Sequence, residues 1–368
     1  MNWVRLLVIS MVVLTMAMMA RANTAQAAEG RYASIIIDAG SLDILHAREI
    51  DARRHPASLT KIMTLYMTFE AIDQGRLSLD SLVTISPHAA RTPPVSMGLK
   101  AGDRVRVDTL IQAVAVRSAN DAATALAEAV YGNEAVFVGQ MNQRAQQLGL
   151  RQTQFRNPHG LPNADQVTTA RDMAKLAVAT LQRFPHHYHY FGQTHFRGRK
   201  NTNALLTQRA DVDGFKTGYT RASGYNLTVS AVQGEDRIIA VVLGGASPDS
   251  RNTHMSDLID RGFEVINQPR AATIMASAPV AQGPKTWSLQ IDGFDSPAEA
   301  AILAETFVRT AGVGTVSPKR QIHGNQPVFS IRINDLDQAM ARDLCARQRD
   351  LLNIEPRRCK IVSVAQTG

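Results

Sequence analysis

The chain has 368 residues, 45% hydrophobic and 20% charged, a balance that supports a folded core and excludes a disordered or fibrous chain. Its length predicts one large domain or two. The net charge of +8 comes without a basic stripe or a nucleic-acid motif, so nucleic acid is not expected as a partner; a modest basic excess suits an anionic polymer or a membrane surface.

Residues 1–27 read as a secretory signal peptide. Arg5 opens it, Leu6 to Ala20 is apolar but short for a membrane span, and Ala25-Gln26-Ala27 is a cleavage pattern. Removing Arg5 and Arg21 takes the charge from +8 to +6. No cysteine lies near the cut, so a lipid anchor is not expected there. The two cysteines, Cys345 and Cys359, either pair or remain two buried thiols.

Ala33 to Ile37 and Leu42 to His46 predict a hairpin around Asp38-Ala39-Gly40-Ser41. Pro56 then precedes a helix that begins near Ser58 and is apolar on every side, through Ile62, Met63, Leu65, Tyr66, Met67 and Phe69; such a helix is expected to be buried and central. Residues 73–117 hold short elements broken at Pro93-Pro94 and at Lys100 to Asp103. Helices are expected over Val107 to Val116, Asp121 to Tyr131, Val136 to Leu148 and Thr169 to Leu181, the first delivering Ser118-Ala119-Asn120 at its end. Between them Asn157-Pro158-His159-Gly160 is a loop. The run Pro185-His186-His187-Tyr188-His189-Tyr190, with His195 nearby, invites a metal. No carboxylate or cysteine joins it in the sequence, so a packed loop and no metal are expected. Strands follow over Val212 to Thr217, Gly224 to Val232 and Arg237 to Leu243, then a helix over Ser256 to Val265. Residues 267–283 are a Pro/Ala/Gln-rich linker. The remainder predicts a βαββαβ order: strand at Trp287, helix from Ser296 to Ala311, strands Gly314 to Ile322 and Val328 to Ile333, helix Asp335 to Leu352, strand Cys359 to Val364.

Three short motifs carry chemistry. Ser58-Leu59-Thr60-Lys61 places a hydroxyl and an amine one helical turn apart, on one face. A serine becomes a nucleophile when a neighbouring base takes its proton, and a lysine is that base when burial and a second cation hold it neutral. S-x-x-K alone is expected roughly once by chance in a chain this long. It is followed, in order, by Ser118-Ala119-Asn120 and Lys216-Thr217-Gly218. K-T-G alone is expected in roughly one such chain in ten, and the ordered triple is far rarer. This signature belongs to penicillin-binding proteins and class A β-lactamases.

With Pro158-His159-Gly160-Leu161 and Asp213-Gly214-Phe215 added, the chain resembles the serine D-alanyl-D-alanine carboxypeptidases, the low-molecular-weight penicillin-binding proteins. The resemblance implies an α+β fold over 29–266: an antiparallel sheet flanked by helices plus a helical lobe, as in β-lactamases and transpeptidases. It implies that Ser58 attacks the bond between two terminal D-alanines, that Lys61 accepts its proton and that Ser118 relays a proton to the leaving amine. Asn120 would hold the substrate amide, and Lys216 and Thr217 its carboxylate. Gly218 would let the substrate backbone approach, and the N–H groups of Ser58 and Tyr219 would form the oxyanion hole. His159 and Arg251 would line the pocket. No cofactor is implied. The partners implied are peptidoglycan stem peptides and β-lactams, and the place is the periplasm or cell envelope. Residues 284–366 resemble a SPOR domain, which implies binding to glycan strands stripped of stem peptides and presence at the division site; the family's usual membrane-anchoring tail is not seen. The competing readings are a β-lactamase, which needs an additional deacylating glutamate that no segment supplies, and a glycan-binding division factor whose catalytic lobe is only a scaffold.

Overall fold

A computed structural model describes residues 30–267, 287–294, 316–323, 326–336, 338–352 and 359–363. The expected leader at 1–27, the linker from 268 to 283 and the helix expected from Ser296 to Ala311 lie outside these residues. Among the described residues no helix is long and apolar enough to cross a membrane.

The organising layer is a five-stranded antiparallel sheet in the order β2-β1-β9-β8-β7, made of β1 (Ala33–Asp38), β2 (Ile44–Arg48), β7 (Val212–Thr220), β8 (Gly224–Gln233) and β9 (Asp236–Gly245). Successive strand residues point to opposite faces, and both faces are apolar here. Ile35, Ile37, Ile239, Val241 and Leu243 join the larger core, while Ile36, Ile238, Ala240 and Val242 join a second core. The second core is closed by Met255, Leu258, Ile259 and Phe263 of the C-terminal helix of this unit, Pro248–Asn267.

The larger core holds the central helix α1 (Thr60–Asp73), in which every residue from Thr60 to Ala71 is buried. It is enclosed by α3 (Val107–Arg117), α4 (Asn120–Tyr131), α5 (Glu134–Gln147) and α6 (Ala170–Arg183), which explains why its apolar residues show no stripe. The one acid buried in α1, Glu70, is matched by Arg144 of α5, with Nη2 2.7 Å from Oε2. Between these helices run the short elements α2 (Pro87–Ala90), a hairpin of β3 (Leu82–Thr84) with β4 (Arg104–Arg106), α7 (His189–Gly192), a second hairpin of β5 (His195–Phe196) with β6 (Arg199–Lys200), and α8 (Leu205–Gln208).

Four details depart from the sequence-based expectations. The first hairpin's second strand begins at Ile44, not Leu42, because Asp38 Oδ1 accepts from the N–H groups of Gly40 and Ser41 and lengthens the turn; Leu42 takes φ +64°. Ser58 lies in a 3-10 turn, Ala57–Leu59, that leads into α1. The two short hairpins were not expected, since two- and three-residue strands carry no period. The last helix of this unit, α9, starts at Pro248, eight residues before Ser256. The cause is Ser247, whose Oγ accepts from Ser250 N at 3.0 Å ahead of a first-turn Pro248 and Asp249, and this brings Arg251 onto the helix.

The C-terminal residues form a separate four-stranded antiparallel sheet, β11-β12-β10-β13, from β10 (Trp287–Phe294), β11 (Val316–His323), β12 (Gln326–Leu336) and β13 (Cys359–Ser363), with α10 (Gln338–Leu352) before the last strand. Leu289, Ile291, Ile333, Leu336, Ala341 and Leu344 are buried there. Of the two alternatives for the cysteines the structure takes the pairing: Cys345 and Cys359 form a disulfide, Cα atoms 6.0 Å apart.

Candidate active site

The turn that presents Ser58 is gripped by backbone from two directions. Gly160 lies so close that a Cβ there would stand 1.9 Å from Ala57 O, and a Cβ on Gly218 of β7 would stand 2.9 Å from Ser58 N. Asn226 of β8, fully buried, donates through Nδ2 to the carbonyls of His55 (2.9 Å) and Pro56 (3.0 Å) and accepts from Gly244 N (2.9 Å). Gly160 also takes φ +84°. Gly160→Ala is therefore expected to cost at least about 2 kcal/mol of stability and to displace Ser58. Thermal unfolding and the rate of serine acylation by penicillin check it.

Positive φ marks all three motifs. Non-glycine residues in that region are Leu42, Glu49, Ala57, Ser118, Arg197 and Phe215 among the described residues. Ala57 precedes Ser58, Phe215 precedes Lys216, and Ser118 itself is the left-handed cap of α3, so half of these strained positions aim a motif side chain. Each costs on the order of 1–3 kcal/mol, and the surrounding packing must hold it in place.

Lys61 is completely buried, and its Nζ has three neighbours: Ser58 Oγ at 3.1 Å, Asn120 Oδ1 at 2.7 Å and His159 O at 2.5 Å. Burial, then the charge of Lys216, hold its ammonium well below the ordinary lysine range, while Asp121 pulls the other way. A neutral amine has two N–H donors and one lone pair. The amide oxygen and the carbonyl can only accept, so in the neutral form they would take both donors and leave the lone pair toward the Ser58 hydroxyl. Asp121, the acid felt by Lys61, is itself occupied by the backbone N–H groups of Met97 (2.9 Å), Leu99 (3.2 Å) and Ala122 (2.8 Å).

Asn120 opens α4 and donates through Nδ2 to Pro93 O at 2.9 Å, so the break between α3 and α4 sits against the Ser58–Lys61 pair. Ser118 in that break is buried, and its Oγ has no partner among the described residues. Lys216 is 1% exposed; burial, then Arg251, bring it down to about 7, and Nζ donates to Thr217 O at 3.1 Å. Thr217 Oγ1 donates to Thr202 Oγ1 at 2.7 Å. Tyr219 is 55% exposed and stacks on Tyr225, ring centroids 4.3 Å apart. Arg251 is buried, with Nη1 donating to Asn226 O at 3.3 Å and Nη2 to Asn252 Oδ1 at 2.7 Å; burial lowers it to about 10. A cavity of about 340 Å³ opens beside Ala57, between Gly160–Pro162 and Thr220.

His159 departs from the expected picture. It reaches Lys61 through its carbonyl, whereas its ring accepts from Leu161 N at 3.2 Å and lies 4.0 Å from Glu134. Burial, then Lys61, push the ring down to about 3, so it is neutral and the Glu134 contact is no ion pair. The sequence reading passed over Asn226 and gave no role to Gly160 or Asp121. Only Gly160, beside a proline and a histidine in a loop, carried a local signal; the work of Asn226 depends on contacts 170 residues away.

The model of peptidase family S11, D-alanyl-D-alanine carboxypeptidase, matches residues 18–247. The chain belongs to this family. D-alanyl-D-alanine carboxypeptidase DacA of Escherichia coli (strain K12) is 38% identical over 260 residues, 67% of this chain and 64% of that relative. The chain thus spans about 64% of the length of such relatives. Penicillin binding protein 5 of Haemophilus influenzae superposes with a TM-score of 0.62 at 29% identity, over 83% of each chain. Penicillin-binding protein D2 of Listeria monocytogenes, solved in the ampicillin bound form, gives 0.58 at 29% identity over 63% of this chain and 96% of that one. The antiparallel sheet with flanking helices is the fold of these neighbours.

Proposed function

We propose that this chain hydrolyses the terminal D-Ala-D-Ala bond of peptidoglycan stem peptides. The reading rests on one observation above the rest: a wholly buried Lys61 whose Nζ lies 3.1 Å from Ser58 Oγ, where burial and Lys216 disfavour its ammonium form. Lys61 Nζ takes the hydroxyl proton as Ser58 Oγ bonds to the carbonyl carbon between the two D-alanines. The oxyanion so formed is held by the N–H groups of Ser58 and Tyr219. The C–N bond then breaks, with a proton passing from Ser118 to the leaving amine and from the Lys61 ammonium back to Ser118. D-alanine departs and leaves an ester on Ser58. Water, deprotonated by Lys61, attacks that ester; the bond to Ser58 Oγ breaks as the Lys61 ammonium returns the proton to that oxygen, and the shortened peptide leaves with a new carboxylate. Asn120 holds the substrate amide, while Lys216, Thr217 and Arg251 face its terminal carboxylate.

Incubating the protein with a pentapeptide ending in D-Ala-D-Ala is expected to release one D-alanine per peptide. The reading fails if wild type releases none, or if Ser58→Ala releases as much. β-Lactams are expected to acylate the same serine and to leave an adduct that mass spectrometry locates on Ser58.

The domain division carries a second part of the proposal. Residues 29–266 are the catalytic unit, 267–283 a linker, and 284–366 a SPOR-like module that binds glycan strands stripped of stem peptides, placing the enzyme in the periplasm and at the division site. The four-stranded antiparallel sheet with α10 ahead of its last strand supports this reading. Deleting 284–368 is expected to abolish binding to sacculi and to leave release of D-alanine from a free peptide unchanged; undiminished sacculus binding contradicts it.

A further inference from the structure

The histidine-rich segment after α6 was set apart from metals because no carboxylate accompanies it in sequence. The fold supplies one. Asp73, the last residue of α1, places Oδ1 3.0 Å from His186 Nε2 and 3.1 Å from His187 Nε2. The three ligand atoms lie within 4.8 Å of one another. His195 takes no part; its ring bonds to Thr194.

We propose that Asp73, His186 and His187 form a binding site for a divalent transition-metal ion, Zn²⁺ above all. Tetrahedral zinc holds nitrogen and oxygen ligands about 2.0–2.2 Å away, which sets the ligands about 3.3 Å apart. The two donor separations above are already close to that. Two imidazoles and one carboxylate suit zinc, copper or nickel, and two nitrogens disfavour magnesium and calcium, which take oxygen. The ring of His187 is fixed: it is buried and stacks on Phe69, one turn before Asp73 on α1, with centroids 4.8 Å apart and planes at 16°. The other side is open, with the side chains of His186 57% and Asp73 28% exposed, so an ion can enter and keep water as a fourth ligand.

This ion would not take part in the reaction at Ser58. Lys61 and Asp73 stand twelve residues apart on one helix, about 18 Å at 1.5 Å per residue. It would instead clamp the far end of α1 to the segment 185–192. That segment also braces β7: Tyr188 Oη donates to Asp213 Oδ1 at 2.9 Å, and the Phe191 ring lies 5.1 Å from Phe215. The clamp thus ties together the two elements that carry Lys61 and Lys216, and it stands whatever the substrate is.

The test uses the full chain without an affinity tag, stripped of metal and titrated with ZnCl₂ by calorimetry, with thermal unfolding in parallel. One equivalent of Zn²⁺ is expected to bind and to raise the unfolding temperature, with Mg²⁺ doing neither. His186→Ala changes an exposed ring and Asp73→Asn keeps the shape of the carboxylate, so both are expected to fold, as far-UV circular dichroism checks. Each removes a ligand, and each is expected to weaken Zn²⁺ binding at least tenfold and to lose the thermal shift. A tenfold or greater loss in either folded variant supports the site. Absence of saturable Zn²⁺ binding to wild type, or less than a tenfold change in both variants, overturns it.

Discussion

Lys61→Ala is expected to slow acylation of Ser58 by penicillin by about 10²–10⁴-fold, the range a positioned general base contributes. Ser58→Ala should abolish the adduct altogether. The distinction matters because Lys61 has a structural task as well: it donates to Asn120 Oδ1 and His159 O, two acceptors that its removal leaves unpaired. Activity lost only because the site collapsed would be insensitive to pH. A lost base removes the rising limb of the pH–rate profile. In wild type that limb is expected to report the buried Lys61, and a falling limb is expected near Lys216, held at about 7. The two amines interact, so the limbs report the pair. A substrate carboxylate beside Lys216 favours its charged form. The falling limb of kcat should therefore lie at higher pH than that of kcat/KM. Stopped-flow acylation across the pH range, with mass spectrometry locating the adduct, measures each part; a profile unchanged in Lys61→Ala would remove Lys61 from the chemistry.

How much of this was legible beforehand depended on the reach of each interaction. The central helix was readable because burial on every side leaves its mark as apolar residues on every face from Ile62 to Phe69, and the strands β8 and β9 because their apolar stretches are long. The motif residues were readable because chemistry restricts residue type at fixed spacing. What escaped was work done by backbone or by distant contact. The carbonyl of His159 could belong to any residue. Asn226 looks like an ordinary polar residue in a strand until Pro56 arrives beside it. Asp73 is a helix-terminal acid until the chain returns 113 residues later with His186. The start of α9 was different, since Ser247-Pro248-Asp249 spelled a cap, a first-turn proline and an acid. That signal was local and was outweighed by the weak apolar pattern behind it.

Lys216→Met is expected to make the protein more stable and much less active. Lys216 is 1% exposed; it donates to the adjacent carbonyl of Thr217, and among the described residues no acid compensates its charge. Its folded value of about 7 lies below the unfolded lysine range near 10.4. The sign follows from proton counting: between those values the unfolded chain holds a proton that the folded chain lacks, so stability rises with pH across that window. Below about pH 7 both states are protonated, and the folded state carries the full burden of a buried ammonium. At about 1.36 kcal/mol per pKa unit that burden is on the order of a few kcal/mol. Methionine has a similar length and no charge, and removes it. Urea unfolding of wild type and Lys216→Met should therefore show the variant more stable by about 2–4 kcal/mol at pH 6, with the gap closing toward pH 10. Release of D-alanine should fall by about 10²-fold or more, because the carboxylate of the substrate then faces no cation on β7. A variant that loses stability at pH 6, or a gap that widens with pH, would mean that Lys216 is not the strained, uncompensated cation its surroundings make it.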